Sequence, residues 1–374
     1  MDNSWIHVSR GTTPRQAHIN VPEGLKEEEI SRGGFQGRVA ELYRRDEPTA
    51  HVRHEGEGFP GDLDGNQVHV PDATDPLGRM VVMWKNEDIV VSISRRAEPP
   101  PFWARDADWD ELWFVHKGEG VLETEFGPLE FGPGDYMMVP KGVTQRLNPR
   151  TKDNFFIHIR SRGEIRFVEH KTLGRHNPYD PDVITIPEPD PQPSEPGKEY
   201  ELKVLRDGKV TSFFFPTHPI DVVGWKGDLF PFKFHNTDFR PIMADRNHVP
   251  PTASGLFQGP GWILCNFTPS PMQRAREAGR LPYYHRNVDY DEIGFMHAGE
   301  LGGAPIDKAL FMWHPRGAVH GPGENVRSMV EQFWEEIAMN NLEAVNIDAE
   351  RPLTMSDEAK ALMRAGGQLT NGKA

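Results

Sequence analysis

A single cysteine, Cys265, in 374 residues excludes an internal disulfide framework and leaves no thiolate cluster for zinc or iron–sulfur chemistry. A reducing compartment suits such a chain. No stretch approaches the roughly 18 consecutive apolar residues that a membrane-crossing helix needs, and Met1-Asp2-Asn3-Ser4-Trp5 lacks the basic start and apolar run of a signal peptide. The reading is a cytoplasmic protein with no membrane contact. Basic residues are also short: 42 Lys plus Arg against 56 Asp plus Glu, with no basic run long enough to neutralise a row of phosphates, so nucleic acid is not an expected partner. Long amphipathic helical patterns are scarce as well.

What the chain has is glycine and proline, 36 and 34, punctuating short runs of Val, Ile, Phe and Trp. That pattern predicts a mainly β protein with few helices. Leu122 to Phe131 alternates apolar and polar residues around Gly127-Pro128, as a hairpin with one buried face should. Asn177 to Tyr200 is rich in proline and acid with almost no apolar periodicity, and reads as an irregular connector. The division is therefore an N-terminal unit over 1–176, a connector over 177–200, a C-terminal unit over 201–354 and a tail over 355–374. Helices are expected over Ser328 to Asn341 and over Ser356 to Arg364, the second opened by Ser356-Asp357-Glu358, and residues 366–374 are expected to fray.

The chain also repeats itself. Trp109-Asp110-Glu111-Leu112-Trp113-Phe114-Val115-His116-Lys117-Gly118-Glu119, followed by Pro140-Lys141-Gly142-Val143-Thr144-Gln145, returns as Tyr290-Asp291-Glu292-Ile293-Gly294-Phe295-Met296-His297-Ala298-Gly299-Glu300, followed by Pro315-Arg316-Gly317-Ala318-Val319-His320. Superposing the copies sets His285, Glu292 and His320 opposite Ala104, Glu111 and Gln145. Two of three potential metal ligands are missing from the first copy, which is then scaffold, with Glu111 a structural carboxylate. His116 and His297 occupy one shared position and read as features of the fold. The Pro-x-Gly turn reverses the chain tightly and delivers His320 onto an inward-facing strand.

These two motifs resemble those of the cupin barrel, which implies a bicupin: two double-stranded β-helix (jelly-roll) barrels, the second holding a metal. Two histidines and a carboxylate occupying one face of an octahedral ion suit a non-haem Fe(II) oxygenase better than zinc, whose catalytic sites usually keep one open position and which does no redox chemistry. Pro282 to Glu292, Asp221 to Phe234 and His314 to Pro322 together resemble the homogentisate 1,2-dioxygenase family, with thinner similarity from Gly34-Phe35-Gln36-Gly37 to Arg351-Pro352-Leu353. That resemblance implies Fe(II) held by His285, Glu292 and His320. Asp291 competes with Glu292, which is preferred because Asp110-Glu111 matches the Asp-Glu pair.

The resemblance further implies His248 as the acid/base residue, His314 as an additional active-site histidine, and Arg286 or Lys233 as a cation near a substrate carboxylate. The implied reaction uses dioxygen to open the ring of a 1,4-dihydroxyphenyl acid, homogentisate giving maleylacetoacetate, within phenylalanine and tyrosine breakdown. It also implies a homo-oligomer, trimeric or hexameric. In one respect the chain departs from the family: Ala298 to Gly303 lacks the tyrosine that animal-type relatives carry there, which leaves the substrate's side chain open. An oxygenase of gentisate or another hydroquinone would use the same ligands. A non-catalytic binding bicupin would need none, and isomerisation on zinc or manganese is a third reading.

Overall fold

Alternation along the strands decides the layers. In Asp110–Lys117, Leu112 and Phe114 enter one apolar cluster, whereas Trp113 and Val115 enter another. Asp135–Val139 does the same, with Tyr136 and Met138 on the first side and Met137 and Val139 on the second. A strand apolar on both faces must lie between two layers. The computed structural model, which describes residues 8–35, 37–301, 304–305 and 308–365, shows those layers.

A seven-stranded sheet containing Asp110–Lys117 shares one cluster with a six-stranded sheet and the larger cluster with an eight-stranded sheet. That central cluster joins Trp84, Phe114, Tyr136 and Phe155 to Phe257, Phe295, Phe311 and Trp313. Truncating one such aromatic to alanine costs about 3–5 kcal/mol. The far side of the eight-stranded sheet faces the small sheet of Lys26–Ser31, Val39–Arg44 and Tyr284–Asn287. The protein is a mainly β bicupin, its two barrels packed back to back.

The two units trade strands. Lys26–Ser31 runs parallel to Tyr284–Asn287, and Gly61–Asp64 pairs with Leu310–His314, so early residues complete the later barrel. In return, Phe232–His235 pairs with Asp135–Val139 and Thr354–Met355 with Val81–Lys85. The Pro-rich segment between them contains a short turn, Pro181–Val183, and a single bridge, Thr185 to Lys233. The hairpin at Gly127 is present, joining Gly120–Thr124 to Gly127–Phe131.

The helices are few and short. Asp357–Leu362 starts where Ser356 accepts a hydrogen bond from the Ala359 amide at 3.1 Å. The other spans Glu324–Gln332, beginning four residues ahead of the expected Ser328, with Gly323 at its N-cap and Glu324 in its first turn. An acidic first turn favours that start through the helix dipole, and beyond Phe333 only a looser turn continues, Ile337 N–H to Phe333 O at 3.0 Å. Residues 366–374 lie outside those described. Among the described residues no helix is long and apolar enough to cross a membrane.

Candidate metal centre

The period of two that builds the core also aims the site. In Asp291–Ala298, Ile293 and Phe295 point into the central cluster, so Glu292, Gly294 and Met296 face the opposite way and line a cavity of ≈ 230 Å³. Leu310–His314 sends Phe311 and Trp313 to the core and Leu310, Met312 and His314 to the same cavity. On the opposing wall, His285 and His320 form an antiparallel bridge, amide to carbonyl at 3.0 and 2.9 Å. Ala104 and Gln145 pair in the same way in the first barrel, so the superposition read from the repeat is also a structural one.

His285, Glu292 and His320 thus converge, their ligand atoms all within 4.8 Å of one another and all three residues buried. His285 Nδ1 lies 3.2 Å from Tyr283 O and His320 Nδ1 lies 3.1 Å from Ala318 O. Donating those protons leaves each Nε2 as a bare lone pair directed inward. His320 Nε2 sits 3.4 Å and His285 Nε2 3.9 Å from Glu292 Oε2, and His285 Nε2 has no hydrogen-bond partner. Lone pairs crowded around a carboxylate are costly in a buried site unless a cation joins them.

The protonation states agree with that geometry. Burial pushes both imidazoles down, and His320 lowers His285 further. Burial also pushes the Glu292 carboxyl up, but the ring of histidines around it, His320 foremost with His285 and His314, outweighs burial and holds Glu292 well below the usual carboxylate range. Neutral imidazoles around an ionised carboxylate are the form that binds a metal. Burial and the charge of Glu292 together push the carboxyl of Asp348, its cross-strand partner, well above the usual carboxylate range.

The neighbours sort by parity. Asp291, one residue before Glu292, is fully engaged: Oδ1 accepts from the Arg316 amide at 2.9 Å and from Arg316 Nε at 3.2 Å, and Oδ2 accepts from the Leu353 amide at 2.7 Å. Asp110 repeats the role, accepting from the Lys141 and Ile165 amides at 2.9 Å each. His314 Nδ1 is 2.9 Å from Glu292 Oε1, and its ring stacks on His320 with centroids 3.9 Å apart. Asn287 Nδ2 reaches Glu292 Oε2 at 3.5 Å.

His248 lines the cavity, with its Nδ1 unpartnered and its ring 6.4 Å from Tyr283. Burial lowers its pKa to about 4. Arg286 turns away, as the residue after an inward His285 must, and pairs with Glu28 at 3.1 Å. Lys233 pairs with Asp135 at 3.3 Å. Among the described lining residues the cation is instead Arg280, which donates from Nε to Gln273 O at 2.6 Å and stacks on Trp334 at 3.9 Å. No motif in the sequence pointed to Arg280.

In the first barrel the matching place is closed by side chains. Gln145 Nε2 donates to Glu111 Oε1 at 2.6 Å and His158 Nε2 lies 2.7 Å from Glu111 Oε2. His158 also escaped the sequence reading, because it falls outside both copies of the repeat. His116 and His297 meet across the two barrels, Nδ1 to Nδ1 at 2.9 Å.

Against this geometry the similarities to known proteins take on meaning. No protein-family model matches the chain. It is 27% identical over 379 residues to a Saccharolobus solfataricus protein described as a candidate dioxygenase, covering 94% of this chain and 95% of that one. It is 27% identical over 201 residues to homogentisate 1,2-dioxygenase of Nitrobacter hamburgensis, and 25% identical over 230 residues to that of Rhodopseudomonas palustris. The chain spans only 44% and 50% of the length of those two enzymes. Solved structures that align include protein YlbA of E. coli, covering 82% of this chain and 98% of that one at TM-score 0.34 and 9% identity, and a cupin 2 conserved barrel domain protein of Leptotrichia buccalis, covering 73% and 89% at TM-score 0.32 and 10% identity. The sequence similarities support an oxygenase of the cupin dioxygenase class.

Proposed function

We propose that the later barrel is an Fe(II)-dependent ring-cleaving dioxygenase that opens a 1,4-dihydroxyphenyl acid, homogentisate before gentisate. The observation that carries this reading is the contrast between the barrels: a neutral two-histidine, one-carboxylate face opens onto a mainly apolar cavity in one, while Gln145 and His158 fill its counterpart in the other. Similarity to proteins described as dioxygenases, one of them over nearly the whole chain, supports it.

His285, Glu292 and His320 would hold the iron, whose chemistry is to accept a ring hydroxyl and to pass electrons from the ring to dioxygen. The chain's own residues do the rest. His314 fixes the Glu292 carboxylate by its hydrogen bond, so that the ligand does not rotate as substrate enters. Met296, Leu310, Met312 and Leu342 give the ring an apolar wall and exclude water. Arg280, held by the carbonyls of Gln273, Trp334 and Ile337 at the cavity wall, would meet the substrate's carboxylate.

His248, neutral over the whole physiological range, takes a proton from the ring hydroxyl as it becomes an anion and later returns it. In the net reaction the ring bond between the carbon bearing the side chain and its hydroxyl-bearing neighbour breaks, and both oxygen atoms enter the product. Homogentisate would give maleylacetoacetate. Exposed Phe213, Phe214 and Phe215 on the edge strand Lys209–Phe215 support the homo-oligomer, which sedimentation velocity would read.

The test is anaerobic reconstitution with Fe(II) followed by oxygen-electrode traces with homogentisate, gentisate and unsubstituted hydroquinone. Uptake with homogentisate one-for-one with substrate is the expected result. Uptake confined to gentisate moves the substrate assignment, and no uptake with any of the three ends the dioxygenase reading. His320→Ala should lose both iron and oxygen uptake.

A further inference from the structure

Beside the proposed iron site, a second set of side chains converges on one point. His18, Glu29 and Glu41 bring one ligand atom each to within 4.8 Å of the others. His18 Nε2 lies 3.7 Å from Glu29 Oε2 and 3.6 Å from Glu41 Oε1. Glu27 orients that imidazole: its Oε2 lies 2.9 Å from His18 Nδ1 and its Oε1 accepts from the His18 amide at 3.0 Å. Tyr43 Oη donates to the same Oε1 at 3.0 Å. A carboxylate on Nδ1–H fixes the tautomer that turns a lone pair at Nε2 toward an ion. His18 also holds a left-handed backbone, φ 64°, a conformation that costs a non-glycine residue energy and marks a position held in place.

Two further observations point to a ligand. Glu29 is 3% exposed, yet its Oε1 has no hydrogen-bond partner, and neither has Glu41 Oε2. These two glutamates also stand directly opposite one another in the antiparallel pair Lys26–Ser31 and Val39–Arg44, and burial together with the charge of Glu29 pushes the Glu41 carboxyl up to about 8, the cost of facing two carboxylates. Arg44 of this hairpin and Arg286 of the adjoining strand both pair with Glu28 on the other face.

The repeat shows what is missing. The hairpin Tyr200–Arg206 and Lys209–Phe215 joins the first barrel as Lys26–Ser31 and Val39–Arg44 joins the second, each running parallel to the strand of the bridge. Lys203 aligns with Ala104 as Glu29 aligns with His285, and Ser212 faces Lys203 where Glu41 faces Glu29. In the first barrel the position carries its own ammonium, 3.8 Å from Glu201. In the second barrel that cation is replaced by a carboxylate, and a histidine is brought up to it.

We infer that His18, Glu29 and Glu41 form a second divalent-cation site, for an ion of the Mn(II) or Zn(II) class that accepts one imidazole and two carboxylates, distinct from the proposed iron site. The ion ties residue 18 to the hairpin that lies against the strand carrying His285, and so acts as a structural staple. Tyr283, stacked on His18 at 4.2 Å and 6.1 Å from the His285 ring, separates the two sites.

Calorimetric titration of the metal-stripped full chain with Mn(II) tests this. The chain should take up two equivalents, His320→Ala one, and His320→Ala combined with Glu41→Gln none, or one at least tenfold weaker. Should the Glu41→Gln combination fail to fold, His18→Asn in the His320→Ala background reads the same site. If the full chain takes up one equivalent and His320→Ala abolishes it, the second site is refuted and the proposed iron site stands. If one equivalent survives His320→Ala and is lost with Glu41→Gln, the second site holds and the iron reading fails. Uptake in His320→Ala that neither Glu41→Gln nor His18→Asn weakens also refutes the second site.

Discussion

Glu111 and Glu292 occupy one register position in two copies of a motif, and their neighbours alone decide their chemistry. Glu111 has both oxygens engaged by hydrogen bonds, from Gln145 and with His158, whereas Glu292 meets two inward Nε2 atoms. Removing one partner from a buried carboxylate leaves its charge uncompensated. His158→Ala should therefore lower unfolding stability by about 3 kcal/mol in urea titrations and leave bound metal unchanged; a loss of metal would mean that the first barrel is not the scaffold described here. His248 makes the complementary case. Under the proposed function, its position in the cavity with Nδ1 free suits it to proton transfer and not to metal binding. His248→Gln should keep iron at the wild-type level and reduce kcat by roughly 10²- to 10⁴-fold, and iron loss in that variant would move His248 from the proton path to the ligand support.

At the scale of elements, the hairpin Gly120–Thr124 and Gly127–Phe131 is pinned at its turn. Gly127 has φ +127°, and a Cβ there would lie 1.9 Å from the Glu188 carbonyl of the connector. Gly127→Ala meets both a backbone conformation that alanine avoids and a clash with main chain, so a loss of at least ~2 kcal/mol is expected. Thermal unfolding reads it directly, and an unchanged midpoint would show that the connector yields freely. This hairpin was legible in the sequence because its signal is local, period-two alternation flanking Gly-Pro. The candidate trio was legible for a related reason: Glu292 and His320 lie in copied stretches, His285 and its counterpart Ala104 stand just ahead of one, and parity sets Glu292 inward once Ile293 is core. The same parity sends Arg286 outward, so its expected place near the substrate conflicted with His285 being inward. What stayed hidden was long-range. Nothing near Glu29 in sequence announces that it pairs with His285, and Arg280 reaches the cavity from a loop whose position depends on Trp334 and Gln273.

At the scale of the whole molecule, the two barrels are joined by the central aromatic cluster, and against it pack two imidazoles that meet each other. His116 and His297 face each other at 2.9 Å between Nδ1 atoms, an arrangement that works only while at least one ring is neutral. Burial, reinforced for His116 by its partner's charge, pushes His116 down to about 3; burial takes His297 down to about 4, against an opposing pull from Glu343. In the unfolded chain both titrate near 6.5. Above that pH neither state binds protons at these rings, and their contribution to stability is complete. As the pH falls from 6.5 toward 4, the unfolded chain takes up protons that the native protein refuses, so stability is lost over that window. For His297 alone the loss approaches about 3 kcal/mol by pH 4. Carboxylates elsewhere add their own acid sensitivity, and comparison with His116→Gln/His297→Gln, which keeps a hydrogen-bonding pair but cannot titrate, isolates this one. Urea unfolding at pH 7 and pH 4.5 should show the double variant losing about 5 kcal/mol less than the wild type, roughly half of it from each ring. Equal losses in the two proteins would mean that the barrels part, or rehydrate, at this junction before the rings are forced to choose.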